Sequence, residues 1–293
     1  MELFFLGTSA GIPSKERNMP CIAFRHNGIV ILFDVGECCQ KQLIKYKIGF
    51  GKIRHVFISH LHLDHFLGVF GLIETLRLCT NVSEETFNIY SPNDFRKLLF
   101  NKWPFIKCHR LKNNLTFQFN GFSVKAFRVK HEQEAFGFVI KEDDKIKFYE
   151  EKAKELGIKG EMFKVLLEKG KIEVNGKKIK LEDVSYIKKG RKIVYTGDTA
   201  FSENIVKESI NANVLIHEAT FDETMEEDAK KKLHSTVKDA AITAEKANVK
   251  TLILTHISAR YKKEDEEMLI NQAKKYYNGN VIIAYDGMKY EVK

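Results

Sequence analysis

The residues HLHLDH at positions 60–65 constrain this chain more than any other stretch. Three histidines and one aspartate stand within six positions, between an apolar run at 54–59 that is typical of a buried strand and a run with helical spacing. In an extended segment alternate side chains share a face, so His60 and His62 are able to grip one cation, while the neighbours Asp64 and His65 diverge toward a second. The alternative is that Asp64 caps the helix and the histidines cluster by chance, but a cap needs only one polar residue. The run therefore predicts a strand-to-helix loop that binds two metal ions.

The composition favours a basic protein with an anionic partner. There are 48 Lys and Arg against 39 Asp and Glu, which gives a net charge of +9 over 293 residues. Nucleic acid is the leading partner class, although a Lys-rich composition alone also makes a chain basic. The five cysteines are odd in number and lack C-x-x-C spacing, so they indicate neither a disulfide framework nor a zinc knuckle. With no signal-peptide pattern and no run near ~18 apolar residues, we expect a cytoplasmic protein without a membrane segment.

Short apolar runs alternate with helical patterns along the chain. Predicted strands lie at 3–6, 21–24, 29–33, 56–58, 87–90, 116–119, 123–129, 136–140, 192–195, 214–216, 251–254 and 281–284, and predicted helices lie from 36 onward and at 66–79, 236–247 and 265–276. Two similar halves, each a sheet with helices outside, predict an α+β fold in the form of a four-layer αββα sandwich. We expect a single domain over residues 1–293 with one inserted arm.

Residues 141–192 are the predicted arm. They hold 16 basic and 11 acidic residues, few apolar ones and no proline. A short helical pattern at 161–169 and the hairpin signal Asn175-Gly176 are the structural features that the arm displays. Composition alone leaves two alternatives open, a solvated charged excursion or a nucleic-acid-binding arm.

Further metal ligands are expected where predicted strands end. His131, Asp198 and His256 each follow an apolar run, so a sheet would bring them to one edge. We assign His60, His62 and His131 to one ion and Asp64, His65 and His256 to the other, with the two carboxylate oxygens of Asp198 between them. Imidazole and carboxylate ligands suit Zn²⁺, and we expect two ions per subunit. Mn²⁺ or Fe²⁺ also fit a site that mixes nitrogen and oxygen ligands.

At these residues the sequence resembles the metallo-β-lactamase superfamily, whose signature is H-x-H-x-D-H followed by distant His, Asp and His ligands. Within it, the chain is similar to the RNase Z family, endonucleases that remove the 3′ trailer from precursor tRNA. The motifs that carry this resemblance are FLGTSAGIP at 5–13, FDVGE at 33–37, YTGDT at 195–199, HEAT at 217–220, HST at 234–236 and THISARY at 255–261. They extend through nearly the whole chain, and HEAT with HST is the discriminating pair.

The resemblance implies roles for several of these residues. Asp34 would hydrogen-bond ligand histidines from behind and fix their tautomers. Glu218 and His234 would form a carboxylate–imidazole pair that passes a proton to the leaving oxygen. Arg260 would clamp the scissile or adjacent phosphate by a two-pronged contact. On the hypothesis of two-metal hydrolysis, Asp64 would also orient the attacking hydroxide while it serves as a metal ligand.

The expected function is a zinc-dependent endoribonuclease that cleaves the 3′ trailer from precursor tRNA by two-metal hydrolysis and leaves a 3′-hydroxyl on the tRNA. The resemblance also implies a homodimer in which the arm of one subunit, a tRNA-binding exosite, holds the tRNA that the other processes. Two alternatives remain: another binuclear-metal hydrolase on the same fold, such as a phosphodiesterase or thioesterase, and a non-catalytic RNA-binding protein with structural metals. Structural zinc sites are closed and usually mononuclear, which argues against the second.

Overall fold

Two mixed β-sheets carry the apolar core. The structure is a computed structural model that describes residues 1–79, 86–100 and 103–293. Within these residues the first sheet has seven strands, in the spatial order Lys289–Glu291, Glu2–Gly7, Cys21–His26, Ile29–Phe33, Ile53–Phe57, Phe87–Ser91 and Ile106–Arg110. The second also has seven, in the order Asn280–Ile283, Thr251–Thr255, Val214–Glu218, Lys192–Tyr195, Phe136–Glu142, Phe122–Arg128 and Thr116–Phe119.

The sheets pack face to face, and helices cover their outer faces. Alternate strand residues point to opposite faces, so each strand supplies both an inner and an outer set of apolar side chains. Phe5 of the first sheet and Phe138 of the second share the inner core. Outside, Gly68–Cys79 packs against the first sheet, and Val237–Lys246 packs against the second. These four layers confirm the predicted α+β class and the αββα sandwich.

The helices outside residues 142–190 differ from the predicted ones at several boundaries. They span Cys39–Lys45, Leu63–Phe66, Gly68–Cys79, Glu203–Ser209, Glu226–Lys232, Val237–Lys246 and Glu266–Lys274. The helix predicted at 66–79 is interrupted before Gly68, where a Cβ atom would lie 2.0 Å from the carbonyl oxygen of Gly36. Sequence reasoning missed Glu203–Ser209 and Glu226–Lys232, because two turns of helix display little periodicity. No helix in the described residues has the length and apolarity to cross a bilayer.

Four neighbouring strands of the second sheet run parallel. They are Lys192–Tyr195, Val214–Glu218, Thr251–Thr255 and Asn280–Ile283. The carboxyl ends of parallel strands meet at one edge of a sheet, which is where the loops of such sheets form binding sites. The polar residues that follow these strands are therefore brought close together in space.

Residues Glu142–Gly190 form a separate compact unit, apart from the unit made of Met1–Lys141 and Arg191–Lys293. Its strands Lys145–Phe148 and Ser185–Lys188 pair with each other, as do Lys171–Val174 and Lys177–Lys180, and its helices span Glu150–Glu155, Met162–Lys169 and Leu181–Val184. Asn175 and Gly176 have φ values of 51° and 74° and form the expected hairpin turn. Ala153, Ile158, Leu166, Val174, Ile179 and Val184 are the buried centre. This stretch therefore has a hydrophobic core of its own, although its apolar residues looked sparse in the sequence.

Candidate metal centre

The loop after strand Ile53–Phe57 carries the first donors. His60 follows the strand, His62 has extended backbone at the start of helix Leu63–Phe66, and Asp64 and His65 lie in that helix. His60 Nε2 lies 2.9 Å from His62 Nδ1, as expected for alternate residues of an extended segment. Because the backbone changes from extended to helical after His62, the side chains of Asp64 and His65 point in a different direction from those of His60 and His62.

The remaining donors arrive from the second sheet. His131, Asp198 and His256 lie just beyond strands Phe122–Arg128, Lys192–Tyr195 and Thr251–Thr255. His256 has a φ of 55°, which is uncommon for a residue with a Cβ atom and occurs where the surroundings over-determine the backbone. The structure brings all three into one region with the loop at 60–65.

The first group of donors comprises His60, His62, His131 and Asp198, one ligand atom of each lying within 4.8 Å of the others. His131 Nε2 is 3.2 Å from His62 Nδ1, and His60 Nε2 is 3.7 Å from Asp198 Oδ2. Three imidazoles and one carboxylate at this spacing suit a divalent cation in tetrahedral coordination.

The second group comprises Asp64, His65 and His256. Asp64 Oδ2 lies 3.5 Å from His65 Nε2 and 3.6 Å from His256 Nε2. Asp198 Oδ2 lies 3.3 Å from the same two nitrogens. Asp198 thus belongs to the first group and borders the second, and it forms a third group with His234 and His256.

Unsatisfied buried atoms show that these residues fit cations. Among the described residues, His65 Nε2, His256 Nε2 and Asp198 Oδ1 are buried and have no hydrogen-bond partner. Buried polar atoms without partners are costly, and a bound cation is a standard way to satisfy them. Burial is the main cause that holds the pKa of His60 well below its usual value, and the charge on His65 is the second. This imidazole is therefore in the neutral form that binds metal.

Burial alone would raise the pKa of Asp198, but the histidines around it, first His256 and then His65, hold that pKa well below its usual range. Asp198 is therefore ionised although it is only 2% exposed. A negative charge at this depth requires compensating positive charge.

The two donor groups contain five histidines. In four of them Nδ1 is hydrogen-bonded to a residue outside the groups, which leaves Nε2 facing the other donors. The partners are Ser59 Oγ for His60 at 3.0 Å, Asp34 Oδ2 for His65 at 2.9 Å, the Leu233 carbonyl for His131 at 3.0 Å and Thr220 Oγ1 for His256 at 2.8 Å. His62 differs, since its Nδ1 faces the other imidazoles. Such outer partners fix the tautomer and the ring direction of metal-binding histidines.

Asp34 organises the back of the centre. Its carboxylate accepts hydrogen bonds from the backbone and hydroxyl of Ser59 and from the Tyr195 hydroxyl, in addition to His65. Asp34 itself has a φ of 56°. The role of Tyr195 was not predicted, although it opens the YTGDT motif.

Glu218 and His234 form a hydrogen-bonded pair beside the donors. His234 Nδ1 lies 2.8 Å from Glu218 Oε1, which also accepts from the Thr199 backbone, and 4.0 Å from Asp198 Oδ2. Burial disfavours a charged His234, but the Glu218 carboxylate outweighs this and raises the pKa of His234 to about 9. The neighbouring Thr236 caps helix Val237–Lys246 through Asp239, so the HST segment has a structural role as well.

A cavity of about 230 Å³ opens onto this centre. Its lining includes His62, Asp64, Asp198, His234, His256 and, at its exposed edge, Lys232 and Arg260. Arg260 Nε donates to Ser258 Oγ at 3.2 Å, and its exposed side chain borders the open side of the cavity. Sequence reasoning missed Lys232, which belongs to no motif, and assigned no role to Thr220, although Thr220 ends the HEAT motif.

The fold and this donor set define a divalent-metal enzyme of the β-lactamase superfamily. The family model described as "Beta-lactamase superfamily domain" matches residues 163–257, and the one described as "Anti-Pycsar protein Apyc1" matches residues 1–153. The Bacillus subtilis metallo-β-lactamase fold protein YhfI, a solved structure, has a TM-score of 0.73 at 20% identity over 99% of this chain and 98% of its own, a likeness in fold alone.

Full-length relatives narrow this class to one family. Ribonuclease Z of Archaeoglobus fulgidus is 43% identical over 99% of this chain and 97% of its own length, and that of Thermococcus sibiricus is 41% identical over 100% and 98%. The crystal structure of the short form of human tRNase Z has a TM-score of 0.72 at 28% identity and covers 100% of both chains. The chain belongs to the ribonuclease Z family and is an endoribonuclease, as its motifs predicted.

Proposed function

We propose that this chain cleaves the 3′ trailer from precursor tRNA by metal-dependent hydrolysis of one phosphodiester and leaves a 3′-hydroxyl on the tRNA. One observation carries the proposal: a single cavity is lined by four of the metal donors, His62, Asp64, Asp198 and His256, and by His234, which is hydrogen-bonded to the buried Glu218. The chain also matches ribonucleases Z along its whole length.

The metal ligands proposed for this reaction are His60, His62 and His131 on one side, Asp64, His65 and His256 on the other, and Asp198 between them. Two divalent cations bound there supply Lewis acidity that acidifies a water molecule and offsets the negative charge that develops on phosphate oxygens. The support for this assignment is the convergence of the donors and the unsatisfied buried atoms of His65, Asp198 and His256.

Three side chains that line the cavity have further roles in the proposed reaction. Asp64 is 13% exposed, accepts a hydrogen bond from the Gly11 backbone at 3.1 Å and faces the cavity, where it orients the attacking water. His234 has Nδ1 engaged by Glu218, so the proton on Nε2 is the one available to the departing 3′ oxygen. Arg260, at the open side, pairs with the scissile or adjacent phosphate.

Three finer assignments belong to the same proposal. The ions are Zn²⁺, because the donors are imidazoles and carboxylates, with Mn²⁺ or Fe²⁺ as competitors. Residues 141–192 form a tRNA-binding exosite, supported by their surplus of five positive charges. The enzyme acts as a homodimer in which one subunit's arm holds tRNA for the other, which rests on the family resemblance alone.

The test is a cleavage assay on end-labelled precursor tRNA with mapped product ends, with and without chelator, beside elemental analysis of the purified protein. A single cut at the 3′ side of the acceptor stem that needs metal is expected. Catalytic efficiency on a chromogenic phosphodiester that equals or exceeds that on precursor tRNA would instead favour a small-molecule phosphodiesterase.

A further inference from the structure

Two cations share one buried aromatic ring at the edge of the cavity. The guanidinium carbon of Arg260 lies 5.1 Å from the centroid of Phe221, and Lys232 Nζ lies 5.7 Å from it. Phe221 is 2% exposed, and its backbone bonds to Ser235 and Val237 hold it against the HST segment. Both cations are therefore attached to a rigid platform by cation–π contacts.

The position of Lys232 is determined by its neighbours in sequence. Leu233 ends helix Glu226–Lys232 with a φ of 52°, and its carbonyl accepts the hydrogen bond from His131. The next residue, His234, is bonded to Glu218. Because residues 233 and 234 both contact the centre, Lys232 is placed at its border and lines the cavity.

Neither Lys232 nor Arg260 forms an ion pair in the described part of the chain, although Arg260 interacts electrostatically with Asp222. In the described residues Lys232 forms no ion pair, whereas Lys230, in the same helix, lies 3.8 Å from Glu226. Arg260 Nη2 likewise has no acceptor there, although Nε bonds to Ser258. The helix dipole offers a different explanation for Lys232, because a basic residue in the last turn of any helix interacts favourably with it. Lys231 shares that environment but does not line the cavity, and it therefore provides a matched comparison.

We propose that Lys232 is a substrate-binding residue that contacts an RNA phosphate flanking the scissile one, together with Arg260 on the shared Phe221 ring. The inference rests on the proposed function, because it names a further contact of the same reaction. The metal donors lie deeper in the cavity, where the scissile phosphate must enter, so an exposed cation at the edge reaches the adjoining backbone. A lysine suits this role as a point charge for phosphate.

The test compares Lys232→Ala with Lys231→Ala in the full chain, since both variants remove one exposed charge from the same helix. We expect the Kd for precursor tRNA of metal-depleted Lys232→Ala to rise about tenfold, and kcat/KM of the metal-loaded enzyme to fall by a similar factor. kcat at saturating substrate should stay within about twofold, because the contact exists before the transition state. The dependence of log Kd on log salt should lose roughly one unit of slope, and Lys232→Arg should restore binding.

Melting temperature and metal content of both variants show whether folding is intact. Equal Kd and kcat/KM values for the two alanine variants would overturn the inference, as would a fall in kcat with unchanged Kd, which would indicate an effect through His234. If the wild-type enzyme does not cleave precursor tRNA, the proposed function fails. If it does and Lys232→Ala behaves like Lys231→Ala, only the role of Lys232 fails.

Discussion

The imidazole Nδ1 of His65 lies 2.9 Å from Oδ2 of Asp34, and both side chains are fully buried. This contact leaves His65 Nε2 directed at Asp198, 3.3 Å from its Oδ2. The carboxylate behind the histidine therefore determines which nitrogen a metal ion meets.

Replacing Asp34 by Asn is expected to lower metal affinity about 10–100-fold, because the amide removes the negative charge behind His65. Asn tolerates the positive φ at this position, so the backbone is preserved. Competition titration with a chromophoric chelator measures the affinity. Wild-type affinity in Asp34→Asn would show that the carboxylate does not tune the site.

Replacing Asp198 by Ala should abolish turnover and lower metal affinity by more than ~100-fold, since its carboxylate borders both donor groups. His62→Ala should also be inactive. Elemental analysis and the cleavage assay report the two effects separately. Two tightly held ions in Asp198→Ala would contradict the bridging role.

Replacing His234 by Ala should slow cleavage by about 10²–10⁴-fold while the metal content stays unchanged, because the residue supplies a proton and binds no ion in the proposed scheme. Single-turnover rates at saturating enzyme measure the effect on chemistry. Glu218→Gln should act in the same direction, since it removes the charge that holds the His234 proton. Full activity in His234→Ala would exclude the proton transfer.

The pH dependence should follow the same residue. With its pKa raised to about 9, His234 is protonated at neutral pH and loses its acid proton as the pH rises through that value. The bound cations add positive charge and move this midpoint downward. Wild-type kcat should therefore fall at or below about pH 9, and the profile of His234→Ala should lack this limb. An identical alkaline limb in the variant would assign it to another group.

Thr220 connects the two parts of the centre. Its hydroxyl accepts from His256 Nδ1 at 2.8 Å and donates to Glu218 Oε2 at 2.7 Å. Thr220→Val keeps the shape but loses both bonds, so metal affinity should fall about tenfold or more and cleavage should slow. Thr220→Ser should restore both properties, and failure of this rescue would mean that the methyl group, not the hydroxyl, is required.

Several elements were predictable because their signals are local. Strand Ile29–Phe33 and the hairpin at Asn27 and Gly28 follow from β-branched residues and turn chemistry, and the structure contains both. The requirement for Gly197 depends on tertiary packing. In the structure, a Cβ at this residue would lie 2.8 Å from Ser59 Cβ, so its reason is contact with the strand-to-helix loop.

The sequence alone indicated the class of chemistry, since three histidines and an aspartate within six residues are a pattern typical of metal binding. It also indicated the family, because motifs such as HEAT and HST, and their order along the chain, are recognised without a structure. Only the tertiary structure decided which nitrogens face each other, how Thr220 joins His256 to Glu218, and that Lys232 and Arg260 meet on one ring. These relationships join residues that lie far apart in the chain, such as His62 and His131, which are 69 positions apart, and no local pattern specifies such contacts.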